Sequence, residues 1–589
     1  MTTEQKLISL RKLMKTNKLD AYIIPSTDPH ISEYVPEKYK SREWVSGFSG
    51  SVATLVITQD HAGLWTDGRY FLQAEKQLSS SEFVLHKLGV PGHKDYPEWL
   101  NNHLPENSTV GLDGFVFSTA LVENLKENFS LKSISIDSNQ DLINDLWLDR
   151  PELPKNKIFI HNDKYSGQTV SDKIKNIRSG LKSKNCDSTI ICSLDDIAWI
   201  LNLRGRDIPF NPVVVSFLII TSDSVSFFID SEKLTDEITK YLKINNIDTF
   251  NYKDVESHIL SLNNNNILID PVRSNFRLFD LIPSTSNVVK KQNISTLLKS
   301  IKNEIEIEGM KKAMEFDLIA MIKFQFWLEK SFTSLTEIEA AKKLNELRAK
   351  NNTFYGDSFN YISGMGENGA IIHYSPNESS NAKLTDETFY LMDSGGQYYE
   401  GTTDITRMYH LGKPSSQEIR DYTLVLKGMI NLTLQKFPIG TRGGQLDILA
   451  RQFLWNNALD YNHGTGHGVG CFMNVHEGPQ NIRKEHNPTE LVEGMILSNE
   501  PGVYRASEYG IRIENLILVK KITDSKFNEF LGFETLTLCP IELKTVDRNL
   551  LSNDEINWLN NYHQLVYETA QNSLDDETKE WLKIKTRAI

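Results

Sequence analysis

In the first three hundred residues the apolar positions follow one pattern twice. Leu7, Leu10, Leu13 and Met14 recur at helical spacing over residues 5–18 and predict an amphipathic helix. The run Asp20-Ala-Tyr-Ile-Ile24 then predicts a short buried strand that stops at Pro25-Ser-Thr-Asp28. The same order returns later. Ile174, Ile177 and Leu181 supply a helix face, Asp187-Ser-Thr-Ile-Ile191 a strand, and Cys192-Ser-Leu-Asp195 its end. In this alignment Arg11, Lys15, Asp20, Ser26 and Asp28 meet Arg178, Lys182, Asp187, Ser193 and Asp195. Further on, Thr58-Gln-Asp-His-Ala-Gly-Leu-Trp-Thr-Asp67 matches Thr221-Ser-Asp-Ser-Val-Ser-Phe-Phe-Ile-Asp230. Two matches in the same order are the signature of a duplication. They predict two homologous α/β domains, residues 1–152 and 153–300. The polar, proline-bearing stretch Asp149-Arg-Pro-Glu-Leu-Pro-Lys-Asn156 marks the boundary.

From residue 301 the pattern changes. Ile305, Ile307, Met310, Met314, Leu318 and Met321 predict a long helix over 304–330. Thr336-Glu-Ile-Glu339 is a capping box that opens a second helix, running to about Lys350. Strands are predicted at 360–363, 370–373, 388–393, 402–408, 495–499 and 511–519, with helices near 415–436 and 443–459. The result is an α+β domain over 301–589. Near its end, Trp558, Leu559, Tyr562, Leu565 and Val566 share one helical face. That face serves either a dimer contact or packing on its own domain.

A chain of 589 residues is too long for one core. Its 39% hydrophobic and 24% charged residues describe an ordinary globular composition. A net charge of −13 leaves no general basic field, so no nucleic-acid partner is expected. The four cysteines form no CxxC pair, which argues against a disulfide framework. No apolar run reaches the roughly 18 residues of a membrane span, so no membrane partner is expected. The N-terminus lacks the apolar core and cleavage site of a signal peptide. A cytoplasmic location is the expectation.

Acidic residues and histidines recur at the edges of strand-like segments between residues 373 and 514. Asp393 and Asp404 flank a glycine-bearing turn that would bring their carboxylates together. Glu500 and Glu514 flank a second hairpin, with its loop through Arg505 to Gly510. His467 sits in His463-Gly-Thr-Gly-His-Gly-Val-Gly470, where small residues allow close backbone approach. Four carboxylates cannot stay ionised in one pocket unless cations neutralise them. Two divalent ions would balance the charge and activate a shared water. Mostly oxygen ligands with one imidazole favour Mn²⁺ or Co²⁺ over a thiolate-type zinc site. Two literal motifs fail in context. Gly364-Met-Gly-Glu-Asn-Gly369 reads GxGxxG, but a strand is predicted after it where a dinucleotide fingerprint needs a helix. Gly47-Phe-Ser-Gly-Ser51 is not GxSxG, so a nucleophilic serine has no support. Arg69, beside Tyr70 and Phe71, reads on chemistry alone as a solvated edge residue.

The segments Asp393…Asp404, His463–Gly470, Asn474-Val-His-Glu-Gly-Pro479, Ser498-Asn-Glu-Pro-Gly502 and Gly510-Ile-Arg-Ile-Glu-Asn515 closely resemble the pita-bread metallopeptidases. Ile24-Pro-Ser-Thr-Asp-Pro-His30 and Gly68-Arg-Tyr-Phe-Leu-Gln-Ala74 extend the likeness to the three-domain, cytosolic Xaa-Pro aminopeptidases (the aminopeptidase P family). The resemblance implies two creatinase-like N-terminal domains before a pita-bread catalytic domain. It implies that Asp393, Asp404, His467, Glu500 and Glu514 bind two metal ions, with Mn²⁺ favoured over Co²⁺ or Zn²⁺ and Asp404 and Glu514 bridging. His373 would orient substrate and stabilise the oxyanion, His476 would bind near the scissile bond, and His463 would line the proline side and help move protons. Tyr504 and Arg512 would support the site, and Arg69 would come toward the substrate, against its chemical reading. The implied reaction is attack by a dinuclear-metal-activated hydroxide on the Xaa-Pro bond of peptides with proline second, Glu500 taking the water proton. A homodimer is implied too. The rivals are prolidase, which usually has one N-terminal domain, creatinase-like enzymes without this metal set, and a non-catalytic pita-bread binding module, which lacks the ligands.

Overall fold

A computed structural model describes residues 1–524, 526 and 529–589. The chain divides into two compact units, residues 1–163 with 168–296, and residues 164–167 with 297–589.

The first unit contains two six-stranded sheets that repeat one another strand for strand. One runs in the order 84–87, 62–66, 54–58, 21–24, 109–111, 135–137. The other runs 248–250, 225–228, 217–221, 188–191, 266–269, 287–290. The residues shared by the two copies set the frame. Arg11 Nε donates to Thr58 O at 2.9 Å, and Arg178 Nε to Thr221 O at 2.9 Å. Asp20 Oδ2 accepts from the backbone N–H of Thr109 at 2.7 Å, and Asp187 Oδ2 from that of Asn266 at 2.8 Å. Each pair ties the first helix or strand of its copy to a strand distant in sequence. The first helix, Thr3–Thr16, has a Thr2/Gln5 capping box and buries Leu7, Leu10 and Met14. Each such side chain contributes about 1.5–3 kcal/mol by leaving water.

In the second unit, the helix Glu304–Ser331 starts from a capping box at Asn303 and Glu306. Glu337–Arg348 follows, capped by Thr336 and Glu339 as predicted. The strands Ile362–Met365, Phe389–Ser394 and Ile405–His410 form one antiparallel sheet. A larger sheet includes Gly466–Gly468, Ile496–Asn499 and Asn515–Asp524, and Gly502–Arg505 pairs with Tyr509–Arg512 as a hairpin. The helices Ser416–Leu434 and Gly443–Trp455 pack closely. Near the end of the chain, the helix Asn553–Ala570 buries Leu559, Tyr562 and Val566 in the core of its own unit, and Leu565 stays exposed. Four of the five residues of that predicted face, Trp558 among them, thus pack on their own unit.

Three predicted strands differ. Residues 370–373 are not a strand. Gly366–Ala370 is a single 3₁₀ turn, with Gly366 at φ +55°. This loop presses on the Gly502–Arg512 hairpin so closely that a Cβ on Gly510 would overlap the carbonyl of Gly369. The predicted strand 402–408 breaks at Thr403-Asp404, and 511–519 breaks at Ile513-Glu514. Neither break holds a glycine or proline, so the sequence carries no breaker signal that could show them. Both breaks hold a carboxylate of the candidate site.

Candidate functional site

Asp393 lies near the end of its strand, opposite Thr406 in register. Asp404 immediately precedes the partner strand, and Glu514 immediately precedes Asn515–Asp524. Glu500 follows Ile496–Asn499 and is fixed by its backbone N–H to Thr465 O at 2.8 Å. His467 occupies the centre of the Gly466–Gly468 strand. Strand ends from two sheets thus deliver the five side chains to one place.

His467 Nδ1 lies 2.9 Å from Gly468 O, a carbonyl that can only accept. The proton of the neutral ring is therefore on Nδ1, and the Nε2 lone pair faces inward. Nε2 is 3.4 Å from Asp404 Oδ2 and 3.6 Å from Glu500 Oε1. Asp404, His467 and Glu514 each present a ligand atom, all within 4.8 Å of one another. Asp393 is buried. Its Oδ2 accepts from Arg512 Nη2 at 2.6 Å, and its Oδ1 has no hydrogen-bond partner. An unpartnered carboxylate oxygen inside a folded unit is costly and needs a ligand.

The protonation equilibria show the same excess of negative charge. Burial first, then Asp404 and Glu500, raise the Asp393 carboxyl to about 6, against the pull of Arg512. Burial, Asp404, Asp393 and Glu500 push Glu514 well above the usual carboxylate range, and burial raises Glu500. Burial alone would lower His467, yet Asp404 and Glu500 hold it up to about 9. The residues thus fit divalent cations. They combine oxygen-rich donors, one inward imidazole lone pair, an orphaned oxygen and uncompensated charge.

A hydrogen-bonded chain leads away from the carboxylates. Arg512 bonds Asp393, and its Nη1 donates to Tyr504 Oη at 2.6 Å. Tyr504 Oη lies 2.8 Å from His463 Nε2. His463 Nδ1 is 2.7 Å from Gly464 O, so Nε2 accepts and the tyrosine donates. His463 Nδ1 also lies 3.8 Å from Glu500 Oε2. The His476 ring packs edge-on against His467, with centroids 4.4 Å apart. His373 is half-buried in the turn after Gly366–Ala370, and two residues on Ser375 accepts from Asn360 at 2.7 Å. Arg69 belongs to the first unit. There Asp67 grips its guanidinium through two 2.8 Å bonds, so it is no free solvated edge.

Three residues escaped the sequence reading. Thr406 Oγ1 donates to Glu514 Oε2 at 2.8 Å and accepts from Arg512 Nε at 3.2 Å. Ser498 Oγ accepts from His467 N at 2.9 Å and donates to Glu500 Oε1 at 3.2 Å. Glu477, next to His476, is buried between Lys299 and Lys302. A single hydroxyl in a strand carries no pattern of its own. Ser498 is detectable only by its place two residues before Glu500.

The family model described as metallopeptidase family M24 matches residues 308–521, and that for its C-terminal region matches 529–589. The creatinase/prolidase N-terminal domain matches twice, at 6–145 and 149–306. Xaa-Pro aminopeptidase 1 of Dictyostelium discoideum is 42% identical over 99% of this chain and 96% of its own length. Aminopeptidase P2 of Arabidopsis thaliana is 41% identical over 100% of this chain and 89% of its own. The crystal structure of an X-prolyl aminopeptidase from Caenorhabditis elegans, described as a cytosolic enzyme with a di-nuclear active site, superposes with a TM-score of 0.96. The two are 37% identical and each covers 100% of the other. A Bacillus anthracis Xaa-Pro dipeptidase shares the fold over 64% of this chain, at TM-score 0.51 and 20% identity.

Proposed function

The chain belongs to the Xaa-Pro aminopeptidases of metallopeptidase family M24, and from that membership we propose that it removes the first residue from peptides whose second residue is proline. The observation that carries this reading is the crowding of Asp393, Asp404, Glu500, Glu514 and the inward His467 nitrogen with too little positive charge among them. These five residues would hold two divalent ions, which when bound supply Lewis acidity and a water nucleophilic at neutral pH. The oxygen-rich set favours Mn²⁺.

The chain's own groups do the rest. Glu500, held by Ser498, accepts the proton of the attacking water. His373 and His476 donate to the oxygen of the carbonyl as it gains charge. The scissile nitrogen belongs to the proline ring, has no proton of its own and must gain one before it leaves. His463 is assigned to that side, with Tyr504 and Arg512 fixing its tautomer. Arg69 is assigned to substrate binding on the family resemblance alone. We assign domain limits of 1–152, 153–300 and 301–589, supported by the family matches. A cytoplasmic homodimer is part of the proposal. Its location is supported by the description of the Caenorhabditis elegans enzyme as cytosolic and by four cysteines that are all free and buried.

Mn²⁺-loaded protein is expected to release arginine from Arg-Pro-Pro. Cleavage confined to Xaa-Pro dipeptides would instead favour a prolidase. The duplicated front region favours the aminopeptidase.

A further inference from the structure

The two copies in the first unit differ at one matched place. In the first copy Trp65 pairs in register with His86 on the neighbouring strand, and their rings stack 3.8 Å apart within 5° of parallel. His61 stacks on Trp99 at 4.6 Å. Both histidines are half-buried, and their Nε2 atoms meet at 3.1 Å. In the second copy the same register pairs Phe228 with Phe250, which stack at 5.5 Å, and Ser224 stands where His61 does. Packing at this sheet position therefore needs only aromatic rings. The second copy meets that need without a facing pair of imidazoles.

The backbone also makes room for the pair. A Cβ on Gly63 would lie 2.7 Å from His61 Nε2 and would overlap the Trp65 indole. The second copy has Ser226 at that place. A glycine within a strand marks such close approach. We propose that His61 and His86 form a second metal-binding site, for a borderline or soft ion such as Zn²⁺ or Cu²⁺, held by two imidazole nitrogens and completed by water. Two lone pairs at this separation need something between them, either a proton or a metal ion. Two Zn–N bonds at a tetrahedral angle put their nitrogens about 3.3 Å apart, so the rings need shift only slightly. Each imidazole then carries its proton on Nδ1. Burial, and after it the neighbouring His61, His93 and His103, lower His86 to about 4, which keeps that ring in its ligand form at neutral pH. Imidazole pairs suit zinc and copper better than manganese, so this site and the carboxylate site would take different ions.

The test uses full-length protein already saturated with Mn²⁺. Micromolar Cu²⁺ is expected to quench part of the tryptophan emission saturably, through Trp65 and Trp99, and excess Zn²⁺ to reverse it. His86→Phe copies Phe250 and preserves the stack, and His61→Ser copies Ser224. Each is expected to weaken Cu²⁺ binding by about tenfold or more while leaving Mn²⁺-dependent peptidase activity unchanged. Equal quenching in the original protein and a folded variant, or no saturable quenching, would overturn the proposal and leave a shared proton as the sole link between the rings.

Discussion

Buried carboxylates of the second unit meet the same electrostatic problem in two different ways. Glu477 is buried, with Lys299 Nζ at 3.0 Å from one carboxylate oxygen and Lys302 Nζ against the other. Asp317 is likewise buried, bonded twice by Arg348 at 2.7 and 3.0 Å and once by Tyr398 at 3.0 Å. In both, side-chain cations and donors of the protein meet the charge. At Asp393, Asp404, Glu500 and Glu514 the one permanent cation described is Arg512, joined when protonated by His467, His463 and His476. The difference shows that the unit can neutralise buried carboxylates with its own cations and does not do so fully at this cluster. Positive charge from outside the chain is what the four-carboxylate cluster lacks.

Opposite responses to losing one carboxylate would sharpen this contrast. Glu477→Gln leaves two lysines buried without a full counter-charge and is expected to cost about 3–5 kcal/mol, read as a lower denaturant midpoint. Glu514→Gln in metal-free protein removes charge from a crowded cluster and is expected to raise that midpoint. If both variants moved the same way, the comparison would fail. A smaller effect is expected from pH. The Asp393 carboxyl is raised to about 6 in the folded state, above its unfolded value. Its contribution is therefore fully present below the unfolded pKa and lost as pH rises through about 6. Metal-free protein should lose stability over that interval, and Mn²⁺ should restore it. Ser498→Ala removes the hydroxyl that links His467 to Glu500. It is expected to weaken Mn²⁺ binding about 10- to 100-fold, measured by calorimetry, with little change in fold. The smallest effect is expected at Asn303, whose side chain caps the Glu304–Ser331 helix beside Lys302. Asn303→Ala should cost about 1 kcal/mol without altering metal affinity.

The duplicated front half was legible in the sequence because its repeated residues are frame residues. Arg11 and Arg178 make the same bond, as do Asp20 and Asp187. The long helices were legible from their apolar spacing and the Thr336/Glu339 capping box from its local pattern, whereas the boxes at Thr2 and Asn303 were not predicted. The site was legible as a set of charged residues, with Tyr504 and Arg512 supplied by the family resemblance, but Thr406, Ser498 and Glu477 were not. Thr406 and Ser498 act through one hydroxyl each. Glu477 finds its lysines far away in sequence, and no period or motif announces such a pairing. The strand breaks at Asp404 and Glu514 were hidden because neither contains a glycine or proline to mark it.

Metal stoichiometry tests the central claim most directly. Protein dialysed against Mn²⁺ and analysed for bound metal should hold about two ions per chain. Asp404→Ala should hold fewer and lose Arg-Pro-Pro hydrolysis by more than about 100-fold. Full hydrolysis by chelator-treated protein, or by Asp404→Ala, would contradict the account.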